Sequence, residues 1–187
     1  MTARLACHPT PLAGLMVIER HPIADERGSF ERLYCAEELA AANIQLPIAQ
    51  ANRSMTSRKG AVRGMHFQHP PHGETKLVAC LAGKVFDVAV DLRHGSPTFL
   101  RWYAVELSND NHKSMLIPAG FAHGFQTLAD HCELLYFHSA AYAAEAEAGI
   151  QPTDTRLGIA WPLPITEMSA RDRGHPALTD AFGGIAP

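Results

Sequence analysis

The sequence has no apolar run approaching the ~18–20 residues that a membrane span needs. Its first stretch, MTARLACHPTPLAGLMV, carries an arginine but only short apolar runs broken by prolines, and does not read as a signal peptide. It also lacks a strong charge of either sign. A net charge of −3 argues against a general binder of nucleic acid or of a polyanionic membrane, while leaving room for a local basic pocket. No CxxC pair is present. The four cysteines, Cys7, Cys35, Cys80 and Cys132, are scattered, which fits a reduced cytoplasmic protein with Cys80 and Cys132 in the core. Helical signal is sparse, and there is neither an internal repeat nor a low-complexity linker.

What is there is enough for one domain. With 187 residues, 47% of them hydrophobic, the chain can bury a real core. The expected layout is a single domain over 1–187, with an N-terminal arm or strand over 1–24. A Pro- and Gly-rich tail over 162–187 is expected to wrap the outside. The middle is dominated by strand signals. KLVACLAGKVFDVAVDLR reads as two strands around a turn at Ala82-Gly83; in the second, Phe86, Val88, Val90 and Leu92 share one face and Val85, Asp87, Ala89 and Asp91 the other. A further strand follows the Gly-Ser-Pro turn in GSPTFLRWYAVELS. Two short ones flank Pro-Ala-Gly in SMLIPAGFAHGFQTLA, and another lies in HCELLYFHSAAY. CAEELAAANI reads as one short helix and AAEAEAGI as a helical turn or two. Many short strands with regular turns predict a mostly β, antiparallel barrel or double-sheet jelly roll.

Polar residues interrupt this pattern at one place. RGMHFQ followed by ETKLV puts Arg63, His66, Gln68 and Lys76 on an otherwise apolar, β-prone stretch. Such a cluster is costly to bury without partners. A lone histidine there would read as a satisfied core residue or a strand-end polar group; four such residues together read as a small-ligand site in a barrel mouth. By strand parity Gly64 and Gln68 share the face of His66, and Arg63 lies opposite unless a bulge intervenes. PAGFAHGF adds His123 in the Pro-x-Gly-x-x-His pattern of the second cupin motif. The first cupin motif calls for metal ligands where this chain has His66, Gln68 and Glu74. Gln is a weak ligand and Lys76 would repel a cation, so a site without metal is favoured over a metal centre. ELLYFHSAAY contributes Tyr136 and Tyr142, and SARD contributes Asp172 in a turn-like segment; taken singly, these read as amphipathic core and as a cap or turn residue.

Taken in order, VRGMHFQ, KLVACLAGKVFDVAVDLRHGSPTF, LIPAGFAHGFQTL, ELLYFHSAAY and LGIAWP resemble dTDP-4-dehydrorhamnose 3,5-epimerases, from about Asp25 to Asp172. The resemblance implies a cupin-type jelly roll that works without metal or organic cofactor. It also implies a homodimer and a nucleotide-linked 4-keto-6-deoxyhexose as substrate, most closely dTDP-4-dehydro-6-deoxy-D-glucose. By it, His66 matches the catalytic base, Asp172 its carboxylate partner, Tyr136 the acid on the opposite face of the sugar, and Lys76 the lysine near the keto oxygen. His123 lines the same pocket. Arg27 and Arg63 match arginines that hold the diphosphate or sugar, and Gln50 and Asn52 the substrate-binding Gln-x-Asn. Tyr142 matches the tyrosine stacked on the pyrimidine, and Glu147 a binding glutamate. Gln68 is grouped with these binding residues.

There are departures from the family pattern. Arg32 stands where the family commonly has Glu, with Glu31 beside it; Ala51 replaces an Asp and Ala79 an Arg; Met65 replaces a Leu; Ala141 falls where a second Tyr is usual. They leave the nucleotide and the sugar more open than the chemistry. The readings that stay beside the leading one are an epimerase of carbon 3 only, one using a CDP-sugar, a metal-dependent cupin, and a non-catalytic nucleotide-sugar binder.

Overall fold

The computed structural model describes residues 3–186; Met1, Thr2 and Pro187, which end the two terminal segments, lie outside the described residues. In chain order the strands are β1 (Leu5–Pro9), β2 (Met16–Arg20), β3 (Ile23–Asp25) and β4 (Gly28–Phe30), followed by helix α1 (Ala36–Ala41). Then come β5 (Gln50–Thr56), β6 (Val62–Gln68), β7 (Lys76–Ala82), β8 (Lys84–Asp91) and β9 (Trp102–Ser108). β10 (Lys113–Ile117), β11 (Phe121–Thr127), β12 (Cys132–His138), β13 (Glu147–Gly149) and α2 (Ala170–Arg173) complete the chain.

The long strands form two antiparallel sheets. One runs β1-β2-β10-β7-β12-β5 and the other β13-β6-β11-β8-β9. This is the mostly β, double-sheet jelly roll that the strand signals predict. The period-2 alternation of β8 explains why it sits where it does. Val85 and Ala89 point between the sheets, into a core with Val78, Met115, Phe125 and Leu134. Phe86, Val88, Val90 and Leu92 point the other way and are covered by Ile150, Leu157, Trp161 and Ile185 of the C-terminal segment. Both faces of β8 therefore pack against apolar residues, with Asp87 and Asp91 as the polar residues of the inner one. The outer face of the six-stranded sheet is closed by α1, whose Leu39 packs with Leu5, Ile18, Leu77 and Leu116.

The helical expectation for AAEAEAGI is only half met. Turns over 144–146 lead into β13, which pairs with β6 (Glu147↔Gln68, Gly149↔His66). The alanines and glutamates favour a helix locally, but the open edge of β6 offers ladder partners that override so short a preference. In the residues after Pro162, Glu167 bridges Ala61, Ile185 bridges Arg93, and α2 is a single helical turn capped by the Ser169 side chain on the Asp172 amide.

A bulge lies in β6. Against β11, His66 faces His123 but Arg63 faces Phe125, a shift of one residue. A bulged strand bends, and the parity of the residues beyond the bulge is reset. This brings Arg63 to the same side as His66, as the parity argument required if both were to face one pocket. Gly64 makes the bulge possible. Its φ is +135°, and a Cβ there would lie 2.6 Å from the Cα of Gly124. Gly64→Ala is therefore expected to destabilise the fold by roughly 1–3 kcal/mol, measured by urea denaturation; an unchanged midpoint would contradict the close approach of β6 and β11.

Candidate active site

A cavity of about 380 Å³ opens between the sheets, a size suited to a small ligand. The five-stranded sheet contributes Arg63, His66 and Gln68 from β6 and His123 from β11. The six-stranded sheet contributes Gln50, Asn52 and Ser54 from β5, Lys76 from β7, and Tyr136 and His138 from β12. Glu74, Tyr142 and Glu147 also line it. The sheets thus present different side chains to opposite sides of one space.

His66 is backed by a carboxylate. Its Nε2 lies 2.8 Å from Oδ1 of Asp172, a residue 106 positions later on α2. Asp172 does not line the cavity; it stands behind His66, its side chain 5% exposed against 31% for the imidazole. Its other oxygen accepts the Gly64 amide at 3.3 Å. Burial alone would push the Asp172 carboxyl up, but the hydrogen bond and charge of His66, with the Gly64 amide, bring it below its ordinary value. An ionised carboxylate can only accept. Nε2 of the neutral ring therefore carries the proton, which leaves the lone pair on Nδ1.

Across the cavity, the Tyr136 hydroxyl stands 3.4 Å from Ser54 Oγ, and its ring meets His123 edge-on at 6.0 Å. Burial pushes the Tyr136 phenol well above its ordinary value, further than the Ser54 hydrogen bond pulls it back. At neutral pH it holds its proton and can donate it. Beside it, Lys76 is buried, with Nζ 3.1 Å from Glu74 Oε1 and 3.4 Å from the His66 carbonyl. The other Glu74 oxygen meets His138 Nδ1 at 2.7 Å. Desolvation works to raise the Glu74 carboxyl, yet His138 and Lys76 together hold it below the usual carboxylate value.

The donors proposed by cupin-motif comparison do not fit a metal. Both ends of the Gln68 amide are engaged by main chain: Oε1 accepts the Ala143 amide at 2.7 Å, and Nε2 donates to the His72 and Ala141 carbonyls. Glu74 is held by Lys76 and His138, and His123 Nε2 lies 2.7 Å from Asp87 Oδ1. Gln68 consequently braces the segment that carries Tyr142. That tyrosine is exposed, donates its hydroxyl to Glu147 at 2.7 Å, and its amide is held by Gln50 at 3.0 Å. Glu147 is also ion-paired with Arg171. Asn52 reaches His138 at 3.4 Å.

Arg27 is the expected residue that its own chain does not bring to the cavity. It sits on the β3–β4 hairpin, paired with Asp25, its side chain 86% exposed. The residues not anticipated are Asp87, His138, Ser54 and Arg171. Asp87 had a signal: it shares the inward parity of Val85 and Ala89, where a carboxylate demands a partner. His138, Ser54 and Arg171 had none, because each acquires its role through a neighbour distant in sequence.

The family model described as dTDP-4-dehydrorhamnose 3,5-epimerase matches residues 9–180. Among curated proteins the chain is 43% identical over 174 residues to the dTDP-4-dehydrorhamnose 3,5-epimerase of Streptomyces griseus, covering 92% of this chain and 86% of the relative. It is 38% identical to a dTDP-4-dehydrorhamnose 3-epimerase of Streptomyces niveus, covering 96% of this chain and 87% of that protein. Among solved structures, a dTDP-6-deoxy-D-glucose-3,5-epimerase from Legionella pneumophila in complex with dTDP-4-keto-L-rhamnose superposes with a TM-score of 0.91. It is 37% identical, and the match covers 98% of each chain.

Proposed function

The chain belongs to the dTDP-4-dehydrorhamnose 3,5-epimerase family, and from that premise we propose that it inverts carbons 3 and 5 of dTDP-4-dehydro-6-deoxy-D-glucose, giving dTDP-4-dehydro-L-rhamnose. The observation that carries this reading is the placement of a carboxylate-backed His66 on one sheet and a protonated Tyr136 on the sheet facing it.

Epimerisation beside a ketone removes a carbon-bound proton and returns one from the other face through an enolate. His66 takes the proton at Nδ1, the nitrogen turned away from Asp172, as a general base. Asp172 fixes the tautomer and stabilises the imidazolium as it forms. Lys76 sets positive charge where the enolate oxygen develops, a contribution that electrostatic preorganisation makes large. Tyr136 donates from the opposite face. His123, held by Asp87, packs against the Tyr136 ring and fixes its position.

In this reading Arg63 holds the diphosphate or sugar. Gln50, Asn52 and Glu147 bind the substrate, and Tyr142 stacks on the base. Gln68 lines the pocket and holds its wall. Arg27 reaches a diphosphate only if a second copy supplies it. Among the described residues, the hairpin that carries Arg27 pairs with no other strand and leaves Ile23 48% and Phe30 71% exposed. These are the grounds for including a homodimer in the proposal. A cytoplasmic location, and action without metal, nucleic acid or membrane, complete it; no helix among the described residues is long and apolar enough to cross a membrane.

A second reading, epimerisation at carbon 3 alone, is supported by the similarity to the Streptomyces niveus enzyme. The two are separated by incubating the protein with dTDP-4-dehydro-6-deoxy-D-glucose in deuterated water and reading each carbon by NMR. Deuterium with inversion at both carbons is expected; deuterium at carbon 3 alone selects the second reading, and at neither contradicts both. Tyr136→Phe should still form the enolate, because His66, Asp172 and Lys76 remain, so recovered substrate should gain deuterium faster than epimer appears. Equal loss of exchange and inversion would mean that Tyr136 is needed for abstraction too. Dialysis against a strong chelator should leave turnover intact, and a loss restored by one divalent metal would overturn the metal-free chemistry.

A further inference from the structure

Behind His66 lies a histidine that the mechanism does not use. His175 follows α2, and its ring rests on Gly149, where a Cβ would come within 2.4 Å of His175 Nε2. Only a glycine at 149 leaves space for the imidazole there. The side chain is 11% exposed, and its Nε2 is buried with no hydrogen-bond partner. A buried nitrogen without a partner calls for an explanation. This one points at the dyad: it is 3.7 Å from Asp172 Oδ1, and His66 Nε2, Asp172 Oδ1 and His175 Nε2 all lie within 4.8 Å of one another.

We propose that His66, Asp172 and His175 form an inhibitory zinc site. Two imidazole nitrogens and one carboxylate oxygen are a common zinc donor set, with the fourth position left to water. Tetrahedral zinc with bonds of about 2.0–2.2 Å sets its ligand atoms roughly 3.3–3.5 Å apart. The spacings of 2.8 Å and 3.7 Å about Asp172 Oδ1 bracket that value, so small ring movements suffice. The second Asp172 oxygen stays on the Gly64 amide, and the nearby Arg171 guanidinium is held by Glu147. The site shares only His66 with the cupin-motif slots, whose other donors, Gln68, Glu74 and His123, are engaged elsewhere.

The consequence for activity rests on the proposed role of His66. Zinc at Nε2 displaces the proton now donated to Asp172. The neutral ring then carries its one proton on Nδ1, and the lone pair that takes the substrate proton is lost. Zinc therefore stops abstraction without blocking the nucleotide end of the cavity.

The test is calorimetric titration of chelator-treated full-length protein with zinc chloride, beside epimerase assays with and without zinc. Wild type should bind one zinc per chain and lose activity in parallel, with recovery on adding chelator. His175→Ala should bind zinc more than about tenfold more weakly, stay active without zinc and resist inhibition. His175→Gln, which keeps more of the side-chain volume, should behave the same way and serves if the alanine variant misfolds by circular dichroism. No zinc binding by wild type, or equal binding by wild type and both variants, would overturn the site. The titration needs no turnover, so it reads the site even if the assigned reaction is wrong; binding without inhibition would overturn the inhibitory role.

Discussion

One hydrogen bond, between His66 Nε2 and Asp172 Oδ1 at 2.8 Å, organises much of this molecule. Its partners come from the middle of β6 and from a single helical turn near the C-terminus, and neither can be placed without the other. To bring Asp172 behind His66, the chain after β13 must cross the outer face of the five-stranded sheet. Ile150, Leu157 and Trp161 cover that face on the way, and Ile185 returns to it after α2. The crossing is thus both the second hydrophobic layer and the route that delivers the carboxylate. Ser169 caps the turn on the Asp172 amide, and the Gly64 amide of the bulge takes the other oxygen. Packing, backbone irregularity and catalytic electrostatics converge on one side chain.

The same logic of paired burial runs through the rest of the cavity. Buried charges are tolerated when matched and hydrogen-bonded. Asp87 is matched by His123, and Glu74 by Lys76 and His138. Asp87 holds His123 from outside the cavity, whereas Glu74, Lys76 and His138 all line it and hold one another. The two-sheet architecture then does what a single sheet cannot. It sets a base and an acid on facing walls of one cavity, and inversion requires that arrangement.

Much of the fold was legible because it rests on a local rule. Period-2 alternation located β7 to β12, and the parity of β8 separated its two apolar faces correctly. Where a longer-range partner decides, local reading stopped. AAEAEAGI was read as helical because the unpaired edge of β6 is invisible in the sequence. Arg63 could be set beside His66 only by allowing a bulge, which Gly64 and Gly124 supply by meeting face to face. Within the site, family resemblance pointed to the lining residues, whereas the bonds that tune them were not foreseeable. His138, Ser54 and Arg171 become meaningful only once elements far apart in sequence are laid side by side, and the parity of Asp87 showed that it needs a partner but not which one. The departures at the N-terminal end have their own local account. Glu31 neutralises the buried Arg20 and meets His112, and Arg32 pairs with Glu38, so the inverted order of charge there serves the packing of β2 and α1.

The central claim is that the buried carboxylate makes His66 a base by fixing its proton on Nε2. Asp172→Asn tests it most directly, because the amide keeps the shape of the side chain and removes the charge that selects the tautomer. Steady-state kinetics on the 4-keto sugar nucleotide should give a kcat lower by about 10²–10⁴-fold, with the dissociation constant for the nucleotide diphosphate within a few-fold of wild type and the fold retained by circular dichroism. A kcat within a few-fold of wild type, in a folded variant, would contradict the account.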